Sequence, residues 1–239
     1  MQNWDALQLD AFLAENPKFR IAEINAERVV LSGEYHLRAK LAGSQVIDKT
    51  YRLKFDCAND YPRTLPRVVD EGRFFPRNAD FHTYSDGSLC LGSELKIKQI
   101  LNADLTIKSF FDHVVDPFLY SVSHRMEHGN YPFGELAHGE QGLIDDYAEM
   151  FGLKDKASVL LALKALGKRK REANKLSCPC GCGRRLGCCS YRFKLNIWRN
   201  LERRRWFREH LNKSFTPIER TSKKVKKVNP ALRSRRKAA

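Results

Sequence analysis

The amino-acid sequence predicts an α+β protein, because one helical pattern, four strand patterns and further helical patterns follow one another along the chain. Residues 1–16 have apolar residues at helical spacing, and Pro17 ends that pattern. Apolar and polar residues then alternate with a period of two, which is typical of a half-buried antiparallel sheet. The predicted strands are residues 29–31, 34–41, 46–57 and 68–69, with turns at Gly33 and residues 42–44. We therefore expect a four-stranded antiparallel meander with flanking helices.

A cysteine follows a strong turn signal in residues 82–91, His-Thr-Tyr-Ser-Asp-Gly-Ser-Leu-Cys-Leu. In Asp86-Gly87 the aspartate can bond to its own backbone and the glycine tolerates positive φ, so a tight turn is expected just before Cys90. A thiol with a pKa of about 8.5 is partly thiolate at neutral pH, which suffices to accept an acyl group from another thioester. Cys90 is therefore a candidate nucleophile.

His82 is the polar residue that could assist this chemistry. A hydrogen bond from His82 to the oxyanion of a tetrahedral intermediate would be worth about 2.7–4 kcal/mol. On spacing alone a more ordinary interpretation is favoured, in which Cys90 is a small buried apolar residue between Leu89 and Leu91. His82 is then a structural histidine of the turn. The order of the surrounding elements shifts the balance toward the catalytic interpretation.

The motif Tyr61-Pro62-Arg63-Thr64-Leu65-Pro66 precedes this turn, and Gly87-Ser88-Leu89-Cys90-Leu91 ends it. Together with the order of helix, meander, proline-rich crossing and cysteine segment, these motifs resemble the ubiquitin-conjugating enzyme family over residues 1–150. The family usually has His-Pro-Asn before its cysteine, whereas here His82 stands where the family's asparagine supports the oxyanion. A histidine at this place resembles divergent bacterial members, which lie in operons with activating-enzyme-like proteins, deubiquitinase-like peptidases or the cyclic-oligonucleotide synthases of antiphage defence.

The resemblance implies a ubiquitin-conjugating-like acyltransferase with Cys90 and His82 as its catalytic residues. Cys90 would receive a protein C terminus from an activating-enzyme-like partner and pass it to a target amine. That C terminus would belong to a ubiquitin-like modifier or to a cyclic-oligonucleotide synthase. Helices are expected at residues 105–119 and 143–151. The loop between them holds Glu135 and His138, which could act on the incoming amine, although a purely structural loop is the favoured interpretation.

Five of the seven cysteines fall within residues 178–189, Cys-Pro-Cys-Gly-Cys-Gly-Arg-Arg-Leu-Gly-Cys-Cys. Glycines permit the turns that bring thiolates together, and four sulfurs complete a tetrahedral zinc site. The pattern resembles the small zinc module at the C terminus of the bacterial translocation motor SecA, although this chain has one residue fewer between the two cysteine pairs. We expect structural zinc with four of the five cysteines as ligands, and the choice among them stays open. The expected ligands are Cys178, Cys180, Cys188 and Cys189, with Cys182 left over.

A disulfide cluster is the competing interpretation of these cysteines. The chain begins Met-Gln-Asn-Trp-Asp, without the basic start and apolar segment of a secretory signal. Its longest apolar stretch, residues 159–163, is far shorter than the ~20 residues of a membrane span. We therefore expect a cytoplasmic protein without membrane contact, in which free thiols and zinc thiolates persist.

Charge divides the chain in the same place as the motifs. Residues 1–165 contain 19 Lys/Arg and 24 Asp/Glu, and residues 166–239 contain 24 and 4, which together give the net charge of +15. Helices are predicted from about residue 155 to residue 171 and over 195–211, the second with aromatic residues among its arginines. Basic density with interleaved aromatics suits nucleic-acid binding, and an acidic protein would use the same residues.

The predicted organisation has four parts. They are a ubiquitin-conjugating-enzyme-like domain at residues 1–152, a helical linker at 153–176, a zinc-binding module with a basic aromatic helix at 177–213 and a basic, disordered tail at 214–239. The predicted function is thioester transfer through Cys90 in an antiphage defence operon. The alternative is a non-catalytic adaptor of the same fold, with an inert Cys90, that recruits nucleic acid or a protein through the zinc module and the tail. A solvated tail without a specific target is the favoured interpretation of the last fifteen residues.

Overall fold

The computed structural model describes residues 4–40, 45–132 and 139–215, and it confirms an α+β protein with a four-stranded antiparallel sheet. The strands are β1 (Phe19–Ile24), β2 (Arg28–Lys40), β3 (Val46–Ala58) and β4 (Arg67–Asp70). The helices are α1 (Leu9–Glu15), α2 (Glu94–Ile100), α3 (Ile107–Phe110), α4 (Asp116–His128), α5 (Gly139–Phe151), α6 (Lys156–Leu166), α7 (Lys170–Ala173), α8 (Tyr191–Leu201) and α9 (Arg204–Ser214). A π-helical turn, Phe111–Val115, joins α3 to α4. Within the described ranges, every helix is too short or too polar to cross a membrane.

The sheet is a meander in which each strand pairs with the next strand along the chain. β2 and β3 form the longest pair, in a regular register that runs from Arg28 opposite Ala58 to Lys40 opposite Val46. In the second half of β2 the odd-numbered residues face the core, since Tyr35 and Leu37 are buried while their neighbours in the strand are exposed. The proline-rich crossing of residues 61–66, with a cis bond between its first two residues, then leads to β4.

The predicted turn at Gly33 is wrong. Residues 29–31 and 34–40 belong to one strand, β2, which runs straight through Gly33. A Cβ atom at Gly33 would lie 2.1 Å from the carbonyl oxygen of Lys18, so glycine is needed there because another backbone approaches closely. The sheet also contains β1, a strand that was not predicted. The sequence pattern did not reveal β1 because Phe19 is the only fully buried residue among the six residues of this strand. The predicted turn at 42–44 lies outside the described residues.

A first hydrophobic cluster combines side chains of the sheet with α1, α3 and α4. Phe111 lies near its centre, with ring centroids 4.7 Å from Phe12, 4.9 Å from Tyr35 and 5.6 Å from Phe55. The helix predicted at residues 105–119 is present as α3, the π-helical turn and α4; it begins after the N-cap Thr106 and continues to His128. These aromatic contacts hold the helices that follow the cysteine segment against the sheet.

A second hydrophobic cluster is formed by helices α5 to α9 together with Leu95 of α2. Helix α6 begins as predicted, because the Asp155 carboxylate accepts a hydrogen bond from the Ser158 N–H at 2.8 Å. The predicted span to residue 171 is divided between α6 and α7. The helix predicted over 195–211 is two helices, α8 and α9, with extended backbone at Glu202 and Arg203 between them. Helix α5 includes the helix predicted at 143–151 and packs in this second cluster.

Helix α2 joins the two clusters, because Ile97 is buried in the first and Leu95 in the second. The same helix carries Lys98, whose side chain is 4% exposed and forms an ion pair with Glu202, itself 5% exposed. The Lys98 ammonium also donates a hydrogen bond to the carbonyl oxygen of Arg63 at 2.7 Å. A buried cation therefore connects α2, the proline-rich crossing and the corner between α8 and α9.

Replacing Lys98 with methionine should destabilise the protein by about 3–5 kcal/mol, because the buried Glu202 carboxylate loses its counter-charge. The measurement is the free energy of unfolding in urea. The matched control combines Lys98→Met with Glu202→Met, which leaves neither charge of the pair in place and should recover most of the stability. Equal losses in the single and double variants would show that packing, and not the ion pair, supports this region.

A second prediction concerns the partly buried carboxylate of Asp116, which accepts a hydrogen bond from the Tyr35 hydroxyl at 2.7 Å. Burial raises the pKa of Asp116 to about 6. A carboxyl group with a higher pKa in the folded chain stabilises the fold below its unfolded pKa, and that contribution is lost as the pH rises through the folded value. We expect a loss of about 2 kcal/mol between about pH 4 and about pH 7 from this group.

The measurement is the free energy of unfolding in urea across this pH range, for wild type and for Asp116→Asn. The asparagine keeps an acceptor for Tyr35 but does not ionise, so the variant should gain stability relative to wild type as the pH rises. A difference between the two proteins that does not change with pH would contradict the raised pKa.

Candidate active site and metal centre

A tight hairpin leads to Cys90. The Tyr84 N–H donates to the Ser88 carbonyl oxygen and the Gly87 N–H donates to the Tyr84 carbonyl oxygen, both at 2.9 Å, which closes the turn. The Asp86 carboxylate accepts a hydrogen bond from the Ser88 N–H at 2.9 Å, as expected of an aspartate in a turn. Gly87 has a φ of +84°, in the left-handed region that glycine adopts without strain. The predicted turn is therefore confirmed.

Cys90 lies at the end of this hairpin, opposite His82. The Cys90 N–H donates a hydrogen bond to the His82 carbonyl oxygen at 2.7 Å. Leu89 is buried in the first cluster, whereas Cys90 is partly exposed. Cys57 of β3 is buried in the same cluster, and burial raises the pKa of its thiol to about 12. Of these two cysteines, Cys90 is the one that solvent can reach.

Tyr84, which is not among the residues predicted from the sequence to form this site, is a neighbour of the Cys90 thiol. The hydrogen bond between the two side chains, together with the charge of a thiolate at Cys90, raises the pKa of Tyr84. Tyr84 is 58% exposed, so its hydroxyl can meet a ligand that approaches from solvent. The signal was present in the sequence, because a turn at Asp86-Gly87 places Tyr84 and Cys90 diagonally across the hairpin, within reach of a long side chain.

The side chain of His82 packs beside the hairpin. Its backbone is left-handed, with a φ of +47°, and its ring lies edge-on against Tyr131 with the centroids 5.7 Å apart. The structure thus pairs His82 with Cys90 through the backbone, and the oxyanion role of the His82 ring stays a prediction. Glu135 and His138, the other candidates near this site, lie outside the described residues.

Four cysteines form a compact cluster that could hold a metal ion. The sulfur atoms of Cys178, Cys180, Cys182 and Cys189 all lie within 4.8 Å of one another. The Cys180 sulfur is 3.2 Å from the Cys178 sulfur and 3.7 Å from the Cys189 sulfur. Four sulfur donors gathered in this way are typical of tetrahedral sites for soft metals.

The four sulfurs that the structure brings together include Cys182 in place of the predicted ligand Cys188, so the geometry favours Cys182 as the fourth ligand. Gly181 and Gly183 have left-handed φ values of +77° and +73°, so the chain turns tightly on both sides of Cys182. Cys188 ends a short 3₁₀ turn, Leu186–Cys188, and its side chain is exposed. Spacing alone could not choose between the two cysteines, since it counts residues and does not reveal how the backbone turns.

Backbone hydrogen bonds favour the thiolate form of two cysteines in the cluster. A hydrogen bond from the backbone of Arg184 lowers the pKa of Cys182 to about 6. The Tyr191 N–H, 3.5 Å from the Cys189 sulfur, lowers the pKa of Cys189. Burial instead raises the pKa of Cys178. Because metals bind the thiolate, the fold prepares Cys182 and Cys189 for coordination.

The cysteine cluster is attached to the second hydrophobic cluster. Cys178 and Cys189 are themselves buried in it, and the Tyr191 hydroxyl donates a hydrogen bond to the Phe151 carbonyl oxygen at 2.9 Å. The start of α8 is thereby fixed to the end of α5. An ion bound by the four sulfurs would therefore stabilise the packing of these helices as well as the loop that supplies its ligands.

Comparison of the chain with protein-family models, with curated proteins and with solved structures finds no match. Function is therefore inferred from the hairpin thiol and the cysteine cluster themselves.

Metal binding should depend on Cys182 and not on Cys188. In protein purified from zinc-supplemented medium, Cys182→Ser should lose most of the metal bound per chain, because it removes a sulfur from the cluster. The matched variant Cys188→Ser should keep the metal. The metal-to-protein ratio is measured by inductively coupled plasma mass spectrometry. The melting temperature of a variant that loses the metal should fall as well. Loss of metal in Cys188→Ser alone would favour the ligand set predicted from the sequence.

Proposed function

We propose that the chain is a ubiquitin-conjugating-like acyltransferase that carries a protein C terminus as a thioester on Cys90. The observation that carries the proposal is the position of Cys90, a partly exposed thiol at the end of a tight hairpin and beside His82 and Tyr84. The order of elements supports it further. A helix, a four-stranded meander, a proline-rich crossing, a cysteine-bearing segment and more helices follow one another as they do in that family.

In the proposed reaction, the Cys90 thiolate attacks the carbonyl carbon of a thioester on an activating-enzyme-like protein. A new C–S bond forms through a tetrahedral oxyanion, the old C–S bond breaks, and the thiolate of the activating enzyme leaves and takes up a proton. The amine of a target then attacks the Cys90 thioester, gives a proton to solvent and releases Cys90 as a thiolate. ATP is consumed in the activating step, on the partner protein.

Two neighbours of Cys90 receive roles in this reaction. His82 would donate a hydrogen bond to the oxyanion, an interaction worth about 2.7–4 kcal/mol when the donor is held in place. Its backbone pairing with Cys90 and its packing against Tyr131 would provide that positioning. Tyr84 would orient the thiol, because its side chain interacts with that of Cys90, which raises the pKa of Tyr84.

The cysteine cluster is proposed to hold structural zinc. Four protein sulfurs complete a tetrahedral site and leave no position for a substrate, so the role of the ion would be to stabilise the module. The module resembles the zinc module at the C terminus of SecA, and with the basic segment that follows it would recruit the activating enzyme or the target. The modifier would be a ubiquitin-like protein or a cyclic-oligonucleotide synthase, and the setting an antiphage defence operon. The ligands would be Cys178, Cys180, Cys182 and Cys189.

Cys90→Ala tests the carrier role. Wild-type protein purified from its own host without reducing agent should include an adduct that dithiothreitol removes, and Cys90→Ala should lack it. Intact-protein mass spectrometry identifies the modifier by its mass. Cys188→Ser is the matched control, because this cysteine is also exposed and stands apart from the metal cluster, and it should keep the adduct.

A non-catalytic adaptor is the competing function, and the charge distribution favours it. Residues 166–239 carry 24 Lys/Arg against 4 Asp/Glu, which suits recruitment of an anionic partner. An adaptor would form no thiol-labile adduct even when the activating enzyme is shown to be present. Cys90→Ala would then bind the partner as well as wild type does, and the acyltransferase proposal would be abandoned.

A further inference from the structure

We infer that the cleft between the two hydrophobic clusters binds the phosphodiester backbone of single-stranded nucleic acid. The cleft has a volume of about 940 Å³. One wall is the proline-rich crossing with the end of α2, and the other is the end of α8 with the start of α9. Neither Cys90 nor the cysteine cluster lines it, so this inference is independent of the acyl transfer proposed above.

The lining of the cleft is strongly basic, with seven arginine or lysine residues against two carboxylate residues. Four of the seven have internal partners and serve the fold. They are Lys98 and Arg205, which pair with glutamates, and Arg199 and Arg208, which donate hydrogen bonds to carbonyl groups at the C-terminal end of α6. One of the two carboxylates, that of Glu202, is already neutralised by Lys98.

Three guanidinium groups remain for a ligand. Arg63, Arg203 and Arg204 are exposed, and in the part of the chain that the structure describes none of them pairs with a carboxylate. Arg63 stands on the wall formed by the crossing, and the other two stand on the opposite wall. An anion in the cleft would therefore meet unpaired positive charge on both sides.

The first turn of α9 adds to this positive potential. Helix α9 is 11 residues long, and its N-cap residue Arg203 forms no side-chain capping hydrogen bond. The Glu202 carboxylate accepts a hydrogen bond from the Arg203 N–H at 3.0 Å, and the helix dipole favours negative charge at this end. The cleft is lined by the N-cap residue Arg203 and by the first two residues of the helix, Arg204 and Arg205.

The type of residue favours phosphate over carboxylate as the ligand. The unpaired cations are all arginines, whose planar guanidinium groups bind phosphate through two parallel hydrogen bonds. Phe193 is 59% exposed on α8, seven residues before Asn200 of the cleft and hence on the same face of the helix. Arg192 lies 4.6 Å over its ring. This exposed ring, about two helical turns from Asn200 on that face, offers a base a stacking surface, which an acidic peptide would not use.

The size of the cleft favours a single strand. Its volume lies within the range of about 300–1,000 Å³ that encloses one small ligand, so it can take a short run of linked phosphates. A duplex carries two backbones around a stiff stack of base pairs and would meet only the rim of the cleft. The nucleotides that follow the run could then reach Phe193.

The test measures the binding of the full chain to a fluorescent single strand of mixed sequence, about 20 nucleotides long, as a function of salt concentration. The cleft variant combines Arg63→Gln, Arg203→Gln and Arg204→Gln. The basic residues after residue 215 contribute equally to both proteins, so the difference reports the cleft. Loss of three phosphate contacts should reduce the slope of log K against log salt by about 2 and weaken binding about 10- to 100-fold at low salt.

The matched control removes the same charge from exposed positions of the same region that do not line the cleft. It combines Arg171→Gln, Lys175→Gln and Lys194→Gln, and it should weaken binding less than about threefold. Equal losses in the two variants would show that net charge alone determines binding and would overturn the inference. Unchanged binding in the cleft variant would overturn it as well, because the strand would then bind elsewhere.

Competitors identify the ligand class. Unlabelled single strand should displace the probe from wild type, whereas a duplex of the same sequence and a polyglutamate peptide should compete at least tenfold more weakly. A peptide that competes as well as the strand would assign the cleft to an acidic protein. Cys90→Ala should bind the strand like wild type, so failure of this inference and failure of the carrier proposal are distinguishable. Unchanged melting temperatures of both triple variants would exclude unfolding as the cause.

Discussion

The arrangement of the two halves of this protein depends on one buried ammonium group. Lys98 has acceptors on three sides: the carboxylates of Glu202 and Glu94 and the carbonyl oxygen of Arg63. Glu94 in turn accepts a hydrogen bond from the indole N–H of Trp206 at 3.0 Å. A buried charge is tolerated only when its hydrogen bonds are satisfied, so this set of partners favours one relative placement of the helices. Lys98 bonds to both walls of the basic cleft, to the Arg63 carbonyl oxygen on one and to Glu202 on the other.

Each of the two candidate sites is a local turn that a hydrogen bond attaches to a packed strand or helix. The Cys90 hairpin is fixed to β4, because the Leu89 N–H donates a hydrogen bond to the Val68 carbonyl oxygen at 2.9 Å. The cysteine cluster is fixed in the same manner to α5 through Tyr191. A reactive or metal-binding group must keep its geometry when its ligand arrives, and attachment to a packed element provides that rigidity. The rigid scaffold therefore extends to both sites even though each site lies in a loop.

Much of the fold and part of each site could be predicted from sequence because the relevant interactions are local. The alternation in β2 and β3 follows from the pleat of a strand with one buried face. The caps at Thr106 and Asp155 bond to groups three residues away, and the Asp86-Gly87 turn closes over four residues. The density of cysteines within twelve residues predicts a cluster of thiols that could hold a metal ion, as the four gathered sulfurs could. In each case the signal and the structure that it specifies lie within a few positions of each other.

The sequence by itself therefore determined the α+β class, the hairpin that leads to Cys90 and the presence of a cysteine cluster. Tertiary structure decided the continuity of β2, since only the close approach of Lys18 explains Gly33. It also decided that Cys182 and not Cys188 joins the cluster. The buried pairing of Lys98 across 104 positions could not be read from spacing. The physical reason is common to all three: these features depend on how separate segments pack, and a periodic pattern describes one segment at a time.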